Sequence, residues 1–566
     1  MDALDNLRVL ADWDRDGLFA HALTDLTGRV LSAEWHYGFD APFQRIAPPA
    51  GGTVVLDNSD GAFLPDKPGS LYGSLLRRDV LIQFQHIQGT NLSGYQLTPY
   101  GMTVLRIVDI QFAPGAFGGR TVTLALGDWH AELMSTIYDP PLMQNVTTGV
   151  AVAQPFAEGL IPLSYAKQYW IMGASELGAD TALFGPGNAY SSFYPGSTVL
   201  DYAGNNIDRG NGVSLYSYID EMCAAEMEGR FWLETWPGPA SVVTYAPRPR
   251  WRFMGRTDLA YRYDPASNVT IPASRFLQTG GEYEFSRTIC NALEVTLYPR
   301  TTGAAGTVLA ESGNAFRIRA GEYREMTLRY RSPDYPDGSC TAVTIIQPVA
   351  GSDYTANEAD DGSGADLTAS LGLAIENRTN AAKLVLTNNG TADLYVTLLR
   401  VRGTPMVALT PVTVEAVDAV SIRDYGLHRQ SLTIAGVDDI ELVQAYADYY
   451  VARYKDPLAR YRRIAFDFPV DTSDPLYRPA LYLPLFPAGL RITDDWIEDV
   501  SGTRLHWVAG AHHVVDSATR TWQTTWFLED FVQQGFWTIG DTAIGLDGQM
   551  VEMGMSRLGE STRLAF

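Results

Sequence analysis

The chain has 566 residues, 46% of them apolar, and a formal net charge of −23. Such a length exceeds what one hydrophobic core organises, so about three to four domains are expected, and the apolar share excludes a disordered chain. The acidic balance excludes a protein that grips nucleic acid through its phosphates, which requires clustered Lys and Arg.

The amino-terminal third predicts strands. Segments 6–14, 29–38, 52–58, 79–85, 103–112 and 120–129 are β-favouring and are separated by Gly, Pro, Asp and Asn, a spacing that fits a barrel or sandwich. Within it, residues 53–85 read as strand, tight turn, loop and strand. Val54, Val55 and Leu56 favour β structure, and Asn58, Asp60 and Gly61 supply turn chemistry. Pro65 and Pro68 keep the loop irregular, and Val80, Ile82 and Phe84 share one face of the next strand. A hairpin is expected from the last two strands, followed by a short helix at about 130–134.

Pro140, Pro141 and Pro155 then mark a boundary, and a Gly-, Ser-, Asn- and Tyr-rich loop runs over 185–212. Residues 214–228 predict a helix with Ser214 as N-cap and Leu215, Tyr218, Ile219, Met222 and Cys223 as its apolar stripe. Strands return over 231–236, 242–245 and 251–300. Residues 300–405 read as a β-sandwich-like unit interrupted by an acidic loop at 351–366. A helix is expected over 438–455 with Leu442, Ala445, Tyr446 and Tyr449 on one side, then further strands to about 530 and an extended tail. Three cysteines at wide spacing argue against a disulfide framework. The amino terminus lacks an apolar leader segment and no run approaches a membrane span, so a soluble protein made in a cytoplasm is expected.

Chemistry-bearing motifs are weak. Asp12, Asp14 and Asp16 with Gly17 match the first half of a calcium loop, but Leu23 stands where the bidentate Glu belongs. An acidic turn explains them as well. His506, His512 and His513 lie near Asp516, yet neighbouring strand residues point to opposite faces, and Gly510 suggests a bulge. Glu226, Glu228 and Glu234 beside Trp232 and Trp236 are the best glycosidase carboxylates, with no spacing that singles them out. Cys223 reads as core. No cofactor and no catalytic residue are expected.

The order of several segments carries more. Residues 25–40, then LDNSDGAFLP at 56–65, then TVLRIVDIQFAP and RTVTLALGDW, resemble the successive strands of phage tail hub proteins. So do 214–251, the run Asp418, Ser421, Tyr425, Gly426 before a long helix, and 491–530. Arg106 and Gly127 depart from the usual small residue and alanine. The chain thus resembles a baseplate or tail tip hub of the T-even hub type, also seen in the amino-terminal part of siphophage tail-associated lysins.

The resemblance implies a mainly β fold with a few helices. It has two tube-protein-like β-barrels with inserted α+β and β-sandwich-like domains. The expected divisions are 1–137, completed by part of 250–300, for the first barrel; 138–250 for the α+β insert; 300–405 for the sandwich; 406–530 for the second barrel; and 531–566 for the tail. It implies a non-enzymatic homotrimer forming a pseudo-hexameric ring below a sixfold tube and above tip, spike or fibre proteins. Genomic DNA would pass its lumen without specific binding, in a virion assembled in the host cytoplasm. Asn58, Asp60, Gly61, Phe63, Pro65 and Tyr72 are the expected assembly contacts, so deletion of 65–72 should abolish the ring and spare the monomer. The alternatives are a multidomain carbohydrate-binding or glycoside-processing protein and an adhesin. No fixed-period repeat favours the adhesin.

Overall fold

The computed structural model describes residues 7–16, 19–41, 44–86, 100–113, 119–140, 142–161, 193, 196, 198–203, 213–235, 249–255, 269–285, 289–331, 340–378, 380–457, 460–469, 474, 476, 480, 489–493, 505–530, 543–544 and 550–551. The fold is mainly β and multidomain, as the segment pattern predicts. In chain order, six strands come first: β1 Leu7–Ala11, β2 Val30–Gly38, β3 Gly51–Asp57, β4 Leu81–His86, β5 Tyr100–Ala113 and β6 Thr121–Gly127. Helices α1 His130–Ser135, α2 Thr148–Ala157 and α3 Leu215–Ala225 follow, then β7 Val269–Pro272, β8 Gly281–Glu284 and β9 Ala292–Leu297. The sandwich region holds β10 Tyr323–Arg329, β11 Leu371–Arg378, β12 Ala381–Asn388 and β13 Leu394–Ala408. Beyond it lie β14 Val412–Val417, α4 Ala419–Tyr425, β15 Arg429–Ile434, α5 Ile440–Tyr454, β16 Arg460–Asp467, β17 Gly489–Thr493, β18 Leu505–Asp516 and β19 Thr521–Asp530.

One 12-stranded sheet runs β1-β4-β5-β6-β3-β2-β18-β19-β16-β8, with β7 on β17 and β17 on β18. The seam is the antiparallel ladder of β2 with β18, Ser32 opposite Asp516 through Gly38 opposite Gly510. The segments expected to build two barrels therefore share a sheet. The strands of 250–300 were expected to complete the amino-terminal set; instead β8 pairs with β16 and β7 with β17 at the other end. Both are long-range pairings, and no local pattern selects among strands of similar alternation.

The sheet curls tightly. Trp35 on β2 stacks on Phe84 of β4 at 4.1 Å, although four inter-strand steps separate them, ~19 Å in a flat sheet. His86 on β4 reaches Trp522 on β19 at 5.9 Å. Alternate residues from both halves, including Leu56, Ile82, Leu124, Phe466, Val515 and Trp526, thus fill one core. Gly52, opposite Trp35, permits it: a Cβ there would sit 2.1 Å from the carbonyl oxygen of Glu34.

A second core unites α1, α2, α3 and the hairpin of Arg230–Thr235 with Pro249–Met254 with the sheet β14-β9-β15 and α5. Ser214 caps α3, its hydroxyl accepting from the Ser217 N–H at 3.2 Å, and the predicted stripe is buried. In α5 the buried stripe is Val443, Tyr446, Ala447, Tyr450, Val451 and Tyr454. That shifts the expected stripe: Tyr446 lies at its centre, and Leu442 and Tyr449 pack partly buried at its edge. Gln444 donates to Asp448 and to the Glu415 carbonyl of β14, tying the edge of the helix to the sheet it packs on.

The run Asp418, Ser421, Tyr425, Gly426 is a helix with its stops. The Asp418 carboxylate caps α4, accepting from the Ser421 N–H at 2.8 Å, and Gly426 ends it at φ +82°. Buried Asn291 locks this turn, donating to Ser421 Oγ at 3.1 Å and to the Gly426 carbonyl at 2.7 Å. The region 300–408 forms a sandwich with its own core. One layer is built on β13 and the other is β10-β12-β11. A short ladder of Arg300–Thr302 with Met406–Ala408 forms its neck.

Candidate functional surface

The face of the large sheet turned away from its core is a continuous strip built by register. One row runs Asp109, Ala125, Thr53, Glu34, Val514, Gln523 and Asp467 across seven strands. A second runs Gln111, Thr123, Val55, Ser32, Asp516 and Thr521. A third runs Gly127, Gly51, His36, His512, Thr525 and Ala465. The rows hold mostly carboxylates, hydroxyls, amides and small residues, with two valines and two histidines, and the third continues from Gly127 to Arg106 on β5, whose guanidinium is held by Glu132 at 2.6 Å and Asp79 at 3.3 Å. Arg463, on the far strand, is held by Glu282 at 2.7 Å. At the seam, His512 Nε2 lies 2.9 Å from the Glu34 carboxylate. Hydrogen bonds to Ala518 and Thr519 N–H hold the Asp516 carboxyl below the usual carboxylate range. Its arginines are already engaged by carboxylates, so the strip offers phosphate little to grip and several negative charges to repel it.

The loop after β3 is largely self-satisfied. Asn58 is buried, its side-chain oxygen accepting from the Phe63 N–H at 3.0 Å. Phe63 and Tyr72 are buried and stacked at 4.5 Å, with the Arg29 guanidinium 5.6 Å from each ring. Gly61 is buried at φ +70°. Arg29 also grips Asp60 with two bonds, at 3.1 and 2.8 Å, and this hydrogen bonding lowers the Asp60 carboxyl to about 2. Asn58, Gly61, Phe63 and Tyr72 are thus committed within the chain. Of the expected contacts, Asp60 and Pro65 reach solvent, beside Leu71 at 52% exposure. Deleting 65–72 would remove Tyr72 from the core, so it cannot spare the monomer.

The remaining motifs resolve into structure. Asp12 is buried in a turn and accepts from the Asp16 N–H at 3.2 Å, while Asp14 is exposed. Among the described residues no group of three or more His, Cys, Asp or Glu is placed to hold a metal ion. Glu226 is buried and accepts from Thr148 Oγ1 at 2.5 Å and the Thr198 N–H at 3.0 Å. Glu228 pairs with Arg453 at 3.2 Å. Trp236 and the side chain of Glu234 lie outside the described residues, as do most of 185–212 and of the tail. Cys223 is core, its thiol pushed up by burial. Gly510 does mark a bulge, and His512 and His513 do face opposite ways.

His513 packs against Trp35 at 4.9 Å, and its Nδ1 accepts from Trp522 Nε1 at 3.4 Å. Burial pushes it down to about 3, and His86 to about 4. Both imidazoles are neutral in the fold, whereas the unfolded chain takes up protons below about 6.5. Their stabilising effect is therefore complete above pH ~6.5 and is lost as pH falls toward ~3–4. The melting midpoint of the protein is expected to drop between pH 7 and 5, before most carboxylates titrate. His513→Gln should flatten that slope, and an unchanged slope would refute the assignment.

Comparison with protein families finds no match, and neither does comparison with curated proteins. Among solved structures, a tail protein from Neisseria meningitidis MC58 aligns at 11% identity over 93% of this chain and 97% of that one, with a TM-score of 0.39. The 43 kDa tail protein of prophage MuSo2 from Shewanella oneidensis aligns at 8% identity over 93% and 98%, with a TM-score of 0.41. A type VI secretion component of E. coli, with structural similarity to T4 tail proteins, aligns at 8% identity over 89% and 74%, with a TM-score of 0.33.

Proposed function

We propose that this protein is the structural hub of a phage or phage-derived tail tip, non-enzymatic and trimeric, with the carboxylate- and hydroxyl-rich strip lining a DNA channel. The observation that carries the reading is the strip itself. A conduit must let phosphate pass, and the outward face of seven strands presents mostly carboxylate, hydroxyl and small groups, its two arginines, Arg106 and Arg463, being held by Glu132 and Glu282. The order of the hub-like sequence segments supports it independently. The reading places the protein in the virion tail, a sixfold tube ring above it and tip, spike or fibre proteins below. DNA passes through without specific binding.

Exposed Leu71 and Pro65 on the loop after β3, with half-exposed Asp60, are assigned to the ring contact. Size-exclusion chromatography with light scattering and electron microscopy of the full chain is expected to give a threefold ring. Leu71→Glu should shift the mass toward monomer and leave the melting midpoint within a few degrees. A strict monomer at every concentration would overturn the ring, and an intact Leu71→Glu ring would overturn that contact.

A further inference from the structure

The sandwich layer β10-β12-β11 has a face that its core does not use. Leu384 and Leu386 of β12 are buried in the sandwich core, so Lys383, Val385 and Thr387 point away from it. Register sets four rows on that outward face: Tyr323, Thr387, Gly372; Glu325, Val385, Ala374; Thr327, Lys383, Glu376; and Arg329, Ala381, Arg378.

The two ends differ in chemistry. At one end Tyr323 is 68% exposed. Gly372 leaves its row open, and the Asn389 carboxamide lies over it, its nitrogen 2.9 Å from where a Cβ would stand. At the other end Arg329 and Arg378 flank Ala381. Arg378 makes only a long contact with Glu376, at 3.7 Å, and Arg329 has no ion pair among the described residues. Lys383 is already paired with Glu325 at 3.4 Å. The ends lie six residues apart along β10, a span of ~20 Å.

We propose that this face binds an anionic polysaccharide. A sugar ring presents C–H groups to an aromatic face while its hydroxyls bond to the neighbouring hydroxyl and carboxamide. Two guanidinium groups further along the chain match carboxylate or phosphate substituents in bidentate fashion. Both ends are used only by a polymer that carries rings and negative charge together. An acidic peptide leaves the ring-and-amide row idle, and a neutral glycan leaves the arginines idle. The face lies on a unit separate from the DNA-channel strip, so it stands or falls apart from the hub reading.

The test is affinity electrophoresis of the full-length protein in native gels containing polygalacturonate, dextran or polyglutamate. Retardation is expected in polygalacturonate alone. Tyr323→Ala, and separately Arg329→Ala with Arg378→Ala, should each weaken it at least tenfold. Light scattering of the same variants should be unchanged, which separates a lost surface from a lost fold. No retardation in polygalacturonate, equal retardation in polyglutamate or dextran, or unweakened binding by a folded Tyr323→Ala would each overturn the proposal.

Discussion

Trp35→Ala is expected to destabilise the sheet core by about 3–5 kcal/mol, the range for emptying a buried aromatic site. Trp35 is fully buried at the seam between the two halves of the large sheet. Its ring stacks on Phe84 from the amino-terminal half and on His513 from the other, and meets Trp522 edge-on at 5.9 Å. No neighbour can close the gap cheaply, because Gly52 opposite it supplies backbone and nothing else. The loss should therefore separate the halves rather than loosen one of them. Urea unfolding followed by tryptophan fluorescence and by far-ultraviolet circular dichroism reads this out. A midpoint within experimental error of the parent would mean that the two halves do not depend on their shared core. Leu71→Glu, by contrast, sits in solvent and should leave that midpoint alone.

Four lysines on the strip should turn a surface that repels DNA into one that holds it. Thr53, Thr123, Gln523 and Thr525 occupy the three cross-strand rows, and their side chains leave the core face untouched. With all four changed to Lys, binding to duplex DNA should appear at low salt. The logarithm of the affinity should then fall with the logarithm of salt at a slope of about −3 to −4, near −0.9 for each phosphate neutralised. The parent should show no binding under the same conditions, measured by fluorescence anisotropy. Tight binding by the parent, or lysines that add no salt slope, would contradict the channel assignment. In assembled particles the same variant should slow DNA release.

The two experiments probe different faces of the same strands. Alternation puts Val54, Leu124 and Trp526 inside and Thr53, Thr123 and Thr525 outside, so each strand serves core and surface at once. A one-residue slip at the β2–β18 seam would exchange these faces. Trp35 resists that slip, since its indole stacks on His513, its partner across the seam, at 4.9 Å.

The sequence by itself determined much of the local structure. Alternation located the strands of the amino-terminal third, and Ser214 with an apolar stripe located α3. The run from Asp418 to Gly426 was legible as a motif, and its physical content is a capped helix with a glycine stop. Helix α2 was not legible, because Pro155 within it reads as a breaker while its first turns are held by packing. The α5 stripe was misread because a 15-residue amphipathic helix with four tyrosines offers two adjacent apolar arcs. Only its contact with the sheet β14-β9-β15 chooses between them.

The tertiary structure alone decided the rest. Which strands meet across several hundred residues, as β2 meets β18, depends on non-local pairing that no sequence window contains. Folding of the loop after β3 then consumed Asn58, Phe63 and Tyr72, which read as assembly contacts until their partners were placed. The same pairing aligned Asp109, Glu34 and Asp467, far apart in the chain, into one cation-free row. Side-chain alternation is a local property of the backbone and is written in the sequence; register between distant strands is set by the energy of the shared core, and it is register that makes the surface.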